Sequence, residues 1–228
     1  MLQKFLDFFA TATPNKDGGI DYAFKTTAYV VLVVLVLIFL AIVYMTEKQS
    51  KKIKTKQVVF AGAAMALAVV TSFIKFGSLP FGGSITLFSM FFICLIGYLY
   101  GIKVGLMTGF AYGILQLIVN PVLFHPMQIL LDYPLAFGCL GLSGLFSKSK
   151  NGLIKGYLLG ISGRYLFHVL SGYIFFTSYT PEGMNPILYV FVYNASYIVP
   201  EAVATIIILC VPSVLAGFKQ VKMMANEA

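Results

Sequence analysis

Four ionisable side chains, Asp132, Arg164, His168 and Glu201, interrupt long apolar runs in a chain whose other charges fall at the ends of such runs or between them. Charge in hydrocarbon is costly, so ionisable residues at these places mark candidate ligand, ion or proton sites. Tyr133, Tyr189 and Asn194 lie in the same part of the chain. An acid, an imidazole, an amide and two phenols would suit a small polar, aromatic or cationic ligand. For the Asn, the Tyr residues and the His, interhelical hydrogen bonding is the alternative. An acid–base pair of Asp132 and His168 in a membrane-embedded enzyme is a second function class. That class finds no nucleophile, phosphate cradle or metal spacing beside the pair, since His125 and His168 are far apart and Cys94, Cys139 and Cys210 fall inside apolar spans. No cofactor, metal or disulfide is expected.

The elements that position these groups follow from composition. With 59% hydrophobic and 11% charged residues among 228 and a mean hydropathy of +0.90, the chain reads as an all-α polytopic membrane protein. Spans of about 20 residues, the length that crosses hydrocarbon, are predicted at 27 to 46, 57 to 75, 86 to 100, 104 to 120, 127 to 147, 153 to 177 and 186 to 215. The first is set apart by the linker from Glu47 to Lys56, which gives residues 1–56 as a tail, an extra helix and a basic linker, and residues 57–228 as a six-helix core. Met1–Ala10 has Leu2, Phe5, Leu6 and Phe9 on one helical face and reads either as an interfacial helix or as a disordered tail.

Short loops rich in Lys stay on the cytoplasmic side. Lys48, Lys51, Lys52, Lys54, Lys56, Lys103, Lys148, Lys150, Lys155, Lys219 and Lys222 then share that side, which puts the N-terminus outside and the C-terminus in the cytoplasm. The net charge of +8 is a solvated inner rim, and no basic patch remains for nucleic acid.

Counting along the predicted helices at 1.5 Å per residue puts Asp132 and Tyr133 about 8 Å below the outer rim, His168 about 13 Å, and Tyr189 and Asn194 about 5 and 12 Å. Three helices thus deliver their polar groups to one outward-facing pocket. Arg164 and Glu201 are deeper and at matching depth, as an ion pair or as ligand groups, with Pro200 positioned to kink the helix beside Glu201. The Gly- and Pro-rich stretch 76–84 on the same side is either a lid or an ordinary connection. Ala61, Ala64, Ala68 and Thr71 form a small-residue stripe that lets another helix approach closely, from outside the chain or from inside the bundle.

Several stretches resemble a known family. They are Gly82–Leu87, Tyr112–Gln116, His125–Phe137, Arg164–Gly172 and Tyr193–Tyr197, of which His125–Phe137 is the most specific. Over residues 57 to 215 the chain is similar to the thiamine-specific substrate-binding subunits (S-components) of energy-coupling factor transporters. The resemblance implies a six-helix bundle that captures thiamine outside the cell and hands it to a transmembrane coupling subunit with two ATPases, with no ATP site of its own. It implies ligand contacts from Asp132, Tyr133, His168, Tyr189 and Asn194, and it makes the Ala61, Ala64 and Ala68 stripe look like the alanine motif that docks S-components on the coupling subunit. The chain has no Trp, where the family walls its site with tryptophans. Phe176 falls in register with one of them, and its smaller ring offers a weaker cation–π face. Another vitamin or a thiamine precursor is the alternative ligand.

Overall fold

The computed structural model describes residues 10–14, 20–24 and 53–226, together with single helical positions at Val30, Val34 and Ala41. The rest of the predicted span 27 to 46, most of its linker and the apolar face of Met1–Ala10 lie outside the described residues. Ala10–Pro14 (β1) and Ile20–Phe24 (β2) pair as an antiparallel hairpin, an element the hydrophobic pattern does not predict.

The core is helical. The six predicted spans correspond to α1 (Thr55–Ser72), α2 (Ser89–Tyr100), α3 (Ile102–Val119), α4 (Pro126–Phe146), α5 (Gly152–Phe175) and α6 (Pro186–Leu209). Of these, α1, α3, α4 and α6 are long and apolar enough to cross a membrane. The last predicted span ends early. Leu209 closes α6, and Pro212, which favours the first turn of a helix, starts the separate amphipathic α7 (Pro212–Asn226). The Gly- and Pro-rich stretch is not helical: Lys75–Ser78 (β3) and Ser84–Thr86 (β4) pair around a 3-10 turn at Pro80–Gly82.

Within α4 the backbone changes type. Pro134 cannot donate a backbone hydrogen bond, and Leu131–Leu135 forms a π-helical turn containing Asp132. Beyond it, Cys139–Phe146 is 3-10 helix. There Gly141 lies so close to α3 that a Cβ would collide with the Gly105 and Leu106 backbone, and one on Gly144 would meet Gly101 and Ile102. Gly156 likewise brings α5 against the Ser143 backbone, and Gly160 brings it, less tightly, against Leu140 and the Cys94 side chain.

Lysines gather at one end of the bundle. Lys56 Nζ donates to Met224 O at 2.7 Å, and Lys222 Nζ donates to Ser147 O while lying 3.7 Å from the centre of the Tyr98 ring. Partial burial lowers the pKa of Lys222. These contacts, with Phe218 against Phe91 at 5.0 Å, fix α7 across that end. At the other end, β2 lies beside a 3-10 turn at Thr177–Tyr179.

The alanine stripe on α1 faces inward. Ala61, Ala64 and Ala68 are buried, Ala68 completely, and Tyr112 of α3 donates its hydroxyl to Ala68 O at 3.2 Å. This corrects the docking assignment of Ala61, Ala64 and Ala68: the small side chains let α2 and α3 approach α1. The outward side of α1 shows Val59, Gly62, Ala63, Ala66 and Val70.

Candidate functional site

A cavity of about 420 Å³ opens at the end opposite the lysine cluster, with Lys75 of β3 among its lining residues. Asp132, Tyr133, His168, Phe176, Tyr189 and Asn194 all line it, so the structure brings every sequence-predicted contact to one chamber. The β3–β4 segment contributes Phe81, Gly83, Ser84 and Thr86 to its walls.

Asp132 anchors the polar wall. Its Oδ2 accepts from Gln128 Nε2 at 2.6 Å, and its Oδ1 lies 3.1 Å from His168 Nδ1. Arg164 Nε lies 3.2 Å from His168 Nε2. A guanidinium only donates, so the hydrogen-bond pattern assigns Nε2 as the acceptor and puts the imidazole proton on Nδ1, aimed at Asp132. A neutral His168 thus links the Arg164 cation to the Asp132 anion. The side chains of His168 and Asp132 are 12% and 16% exposed, open to the cavity yet shielded enough for these bonds to matter.

Arg164 and Glu201 do not form the expected ion pair. Arg164 turns toward His168, one helical turn on, and packs 4.3 Å from the Phe137 ring centre. Glu201 instead accepts from Thr86 Oγ1 at 2.5 Å, Ser89 Oγ at 3.2 Å and the Met90 N–H at 3.1 Å. Equal depth does not fix the direction in which a side chain leaves its helix, and these two leave in different directions.

Tyr133 and Asn194 also hold the frame. The Tyr133 hydroxyl donates to Asn120 O at 2.8 Å and accepts from the Val122 N–H at 2.7 Å, which ties the α3–α4 loop to the wall. Asn194 Nδ2 donates to His168 O at 3.3 Å and to Val190 O at 2.9 Å, and Oδ1 accepts from Tyr197 at 2.8 Å. At the mouth, Phe176 meets Phe81 at 5.8 Å and Phe124 at 4.9 Å, and Phe81 meets Tyr179 at 4.3 Å.

Sequence reasoning missed several wall residues. Gln128 precedes Asp132 by four positions, and Tyr193 and Tyr197 continue the Tyr189 face at the same interval, as Arg164, which the sequence did single out, precedes His168. That spacing puts side chains on one helical face, and it was the available signal. Tyr112 and Gln116 of α3, joined by a 2.6 Å bond from Gln116 Nε2 to the Tyr112 hydroxyl, complete the wall opposite.

The family described as "Thiamine transporter protein (Thia_YuaJ)" matches residues 58–219. The thiamine transporter ThiT of Bacillus subtilis (strain 168) is 38% identical over 166 residues, covering 67% of this chain and 85% of that protein. ThiT of Lacticaseibacillus paracasei is 31% identical over 119 residues, covering 45% of this chain and 59% of its own. A solved structure of ThiT from Listeria monocytogenes aligns with a TM-score of 0.49 at 19% identity, covering 75% of this chain and 91% of that one.

Proposed function

The chain belongs to the thiamine transporter protein family, and from that premise we propose that its 420 Å³ cavity is where it captures thiamine. It is a multi-pass membrane protein of a transport family and not an enzyme. The observation that carries the site reading is the chain Gln128–Asp132–His168–Arg164 along one wall of an aromatic chamber. Thiamine joins a cationic thiazolium to an aminopyrimidine. A carboxylate has about four acceptor positions; the two bonds above leave Asp132 capacity for the amino group or the ring cation. Tyr189 and Phe176 offer aromatic faces to the positive ring, while Asn194 and Tyr133 hold the helices that shape the chamber.

In this reading the cavity faces outward and the lysine-rich end is cytoplasmic, since short loops rich in lysine remain inside. The position of β2 at the cavity end supports an external N-terminus. In sequence, residues 1–56 read as an addition to the 57–228 core. No nucleic acid takes part. Release inward requires an energising partner, namely a transmembrane coupling subunit with two ATPases. With Ala61, Ala64 and Ala68 buried, the exposed face of Gly62, Ala63 and Ala66 is the small-residue side of α1 left for a partner helix.

Titration calorimetry in detergent without ATP tests this, with riboflavin and biotin as controls. Saturable heat with thiamine alone is expected. Clear binding of another vitamin with none of thiamine would overturn the substrate and keep the class.

A further inference from the structure

Two residues in the segment that walls the cavity, both non-glycine, adopt left-handed backbone conformations: Phe81 at φ 63° and Phe88 at φ 57°. Such conformations persist in bulky residues only where the surroundings impose them. In both cases one side chain of α6 hydrogen-bonds to the residues on either side.

The Tyr193 hydroxyl brackets Phe81. It donates to Pro80 O and accepts from the Gly83 N–H at 3.2 Å. A Cβ on Gly83 would come within 2.8 Å of that hydroxyl, so the backbone approaches it as only glycine permits. Just over two turns further along α6, Glu201 brackets Phe88 by accepting from Thr86, Ser89 and the Met90 N–H. Phe88 occupies the N-cap position of α2 without capping through its own side chain. Glu201 supplies that cap from another helix, with its charge at the positive end of the helix dipole.

Glu201 is 3% exposed and makes no salt bridge among the described residues. A buried carboxylate is costly unless hydrogen bonds satisfy it, and here all of its side-chain hydrogen bonds come from the base of this one segment. The same helix presents Tyr189 and Asn194 to the cavity.

We propose that Glu201 is a positioning residue for ligand capture: with Tyr193 it clasps residues 80–90 in a strained, closed conformation over the cavity, and loss of the clasp lets bound ligand escape. This rests on the reading of the cavity as the thiamine site. Glu201 lies outside the cavity wall, so it acts through Thr86 and Ser89.

The test combines dissociation of radiolabelled thiamine with backbone hydrogen exchange in the full-length protein. Glu201→Ala should accelerate dissociation and exchange within residues 77–92 at least tenfold. Glu201→Gln should fall between Ala and wild type, and Thr86→Val, which removes one donor from the other side, should shift both in the same direction. Exchange in α4 and α5 should remain at wild-type rates. Wild-type exchange at 77–92 in Glu201→Ala and Thr86→Val would overturn the clasp, and so would a uniform rise across all helices, which would make Glu201 a general stabiliser. If the wild-type protein binds no thiamine, the substrate reading fails, while exchange in the ligand-free protein still decides the clasp.

Discussion

Both halves of α4 touch α3 through backbone, at Gly113 against Tyr133 and at Gly141 against Gly105, but they differ in what their side chains do. In Cys139–Phe146, Gly141 and Gly144 bring the backbone directly against α3, while Cys139, Leu140 and Ser143 are buried in the core around them. In Pro126–Leu135, Gln128, Asp132 and Tyr133 project into a hydrogen-bonded wall. Backbone contact cannot adjust to added volume, because close-packed interiors have no space to give. Side chains lining a cavity can be changed with little effect on packing. On the proposed reading, the difference separates stability, assigned mostly to the inner half, from recognition, assigned to the outer half.

The strongest break of that comparison is Gly141→Ala. Its methyl group would collide with backbone on α3, which cannot move as the end of a flexible side chain can. A loss of about 3 kcal/mol or more is expected, at the upper end of overpacking effects, read as a fall in Tm or a loss of monodisperse protein in detergent. A normal melting temperature would mean that α3 and α4 can separate without cost.

Asp132→Asn tests the outer half. The amide keeps the shape and can still accept from one neighbour, but it removes the charge. Thiamine affinity should fall by about 1.5 to 3 kcal/mol, the range for a hydrogen bond to a charged group, with Tm nearly unchanged. Calorimetry beside a thermal melt checks both, and wild-type affinity would leave Asp132 with a framework role only.

The corresponding contrast on α1 compares Ala68→Leu with Ala66→Leu. Ala68 is fully buried, so the larger side chain should cost about 1 to 3 kcal/mol of stability. Ala66 is exposed, and its replacement should leave stability within about 0.5 kcal/mol while reducing thiamine uptake in cells if that face meets the coupling subunit. Loss of stability in both variants, with uptake preserved in Ala66→Leu, would remove the docking proposal.

α1 also shows where sequence reasoning ends. Spacing of small residues reports that a helix comes close, and α1 does pack closely at Ala61, Ala64 and Ala68. It does not report whether the neighbour belongs to the same chain. Depth counting put Asp132, His168, Tyr189 and Asn194 at similar depths, and all four line one chamber. It failed for Arg164 and Glu201 because depth carries no azimuth: Arg164 shares the face of His168, whereas Glu201 points to the start of α2. Pro134 and Pro212 lay inside predicted spans with no interruption assigned to them. Their outcomes, a π-helical turn at Asp132 and a separate final helix, depend on packing that a single helix's pattern does not contain.

The smallest expected effect sharpens the comparison at its outer edge. Phe176 ends α5, lines the cavity and is only partly buried among Phe81, Phe124 and Tyr179. An indole there has open cavity to enter, unlike a methyl group at Gly141, and it presents the strongest cation–π face of the aromatic side chains. Phe176→Trp should therefore tighten thiamine binding by about 0.5 to 1 kcal/mol, roughly two- to fivefold, with no loss of Tm. Neutral ligands of similar size should gain nothing, which makes the difference between a charged and an uncharged analogue the informative measurement. Weaker binding together with a lower Tm would show that Phe176 serves the aromatic packing at the mouth. The outer half of the bundle would then share, at its rim, the intolerance of the glycine-packed inner half.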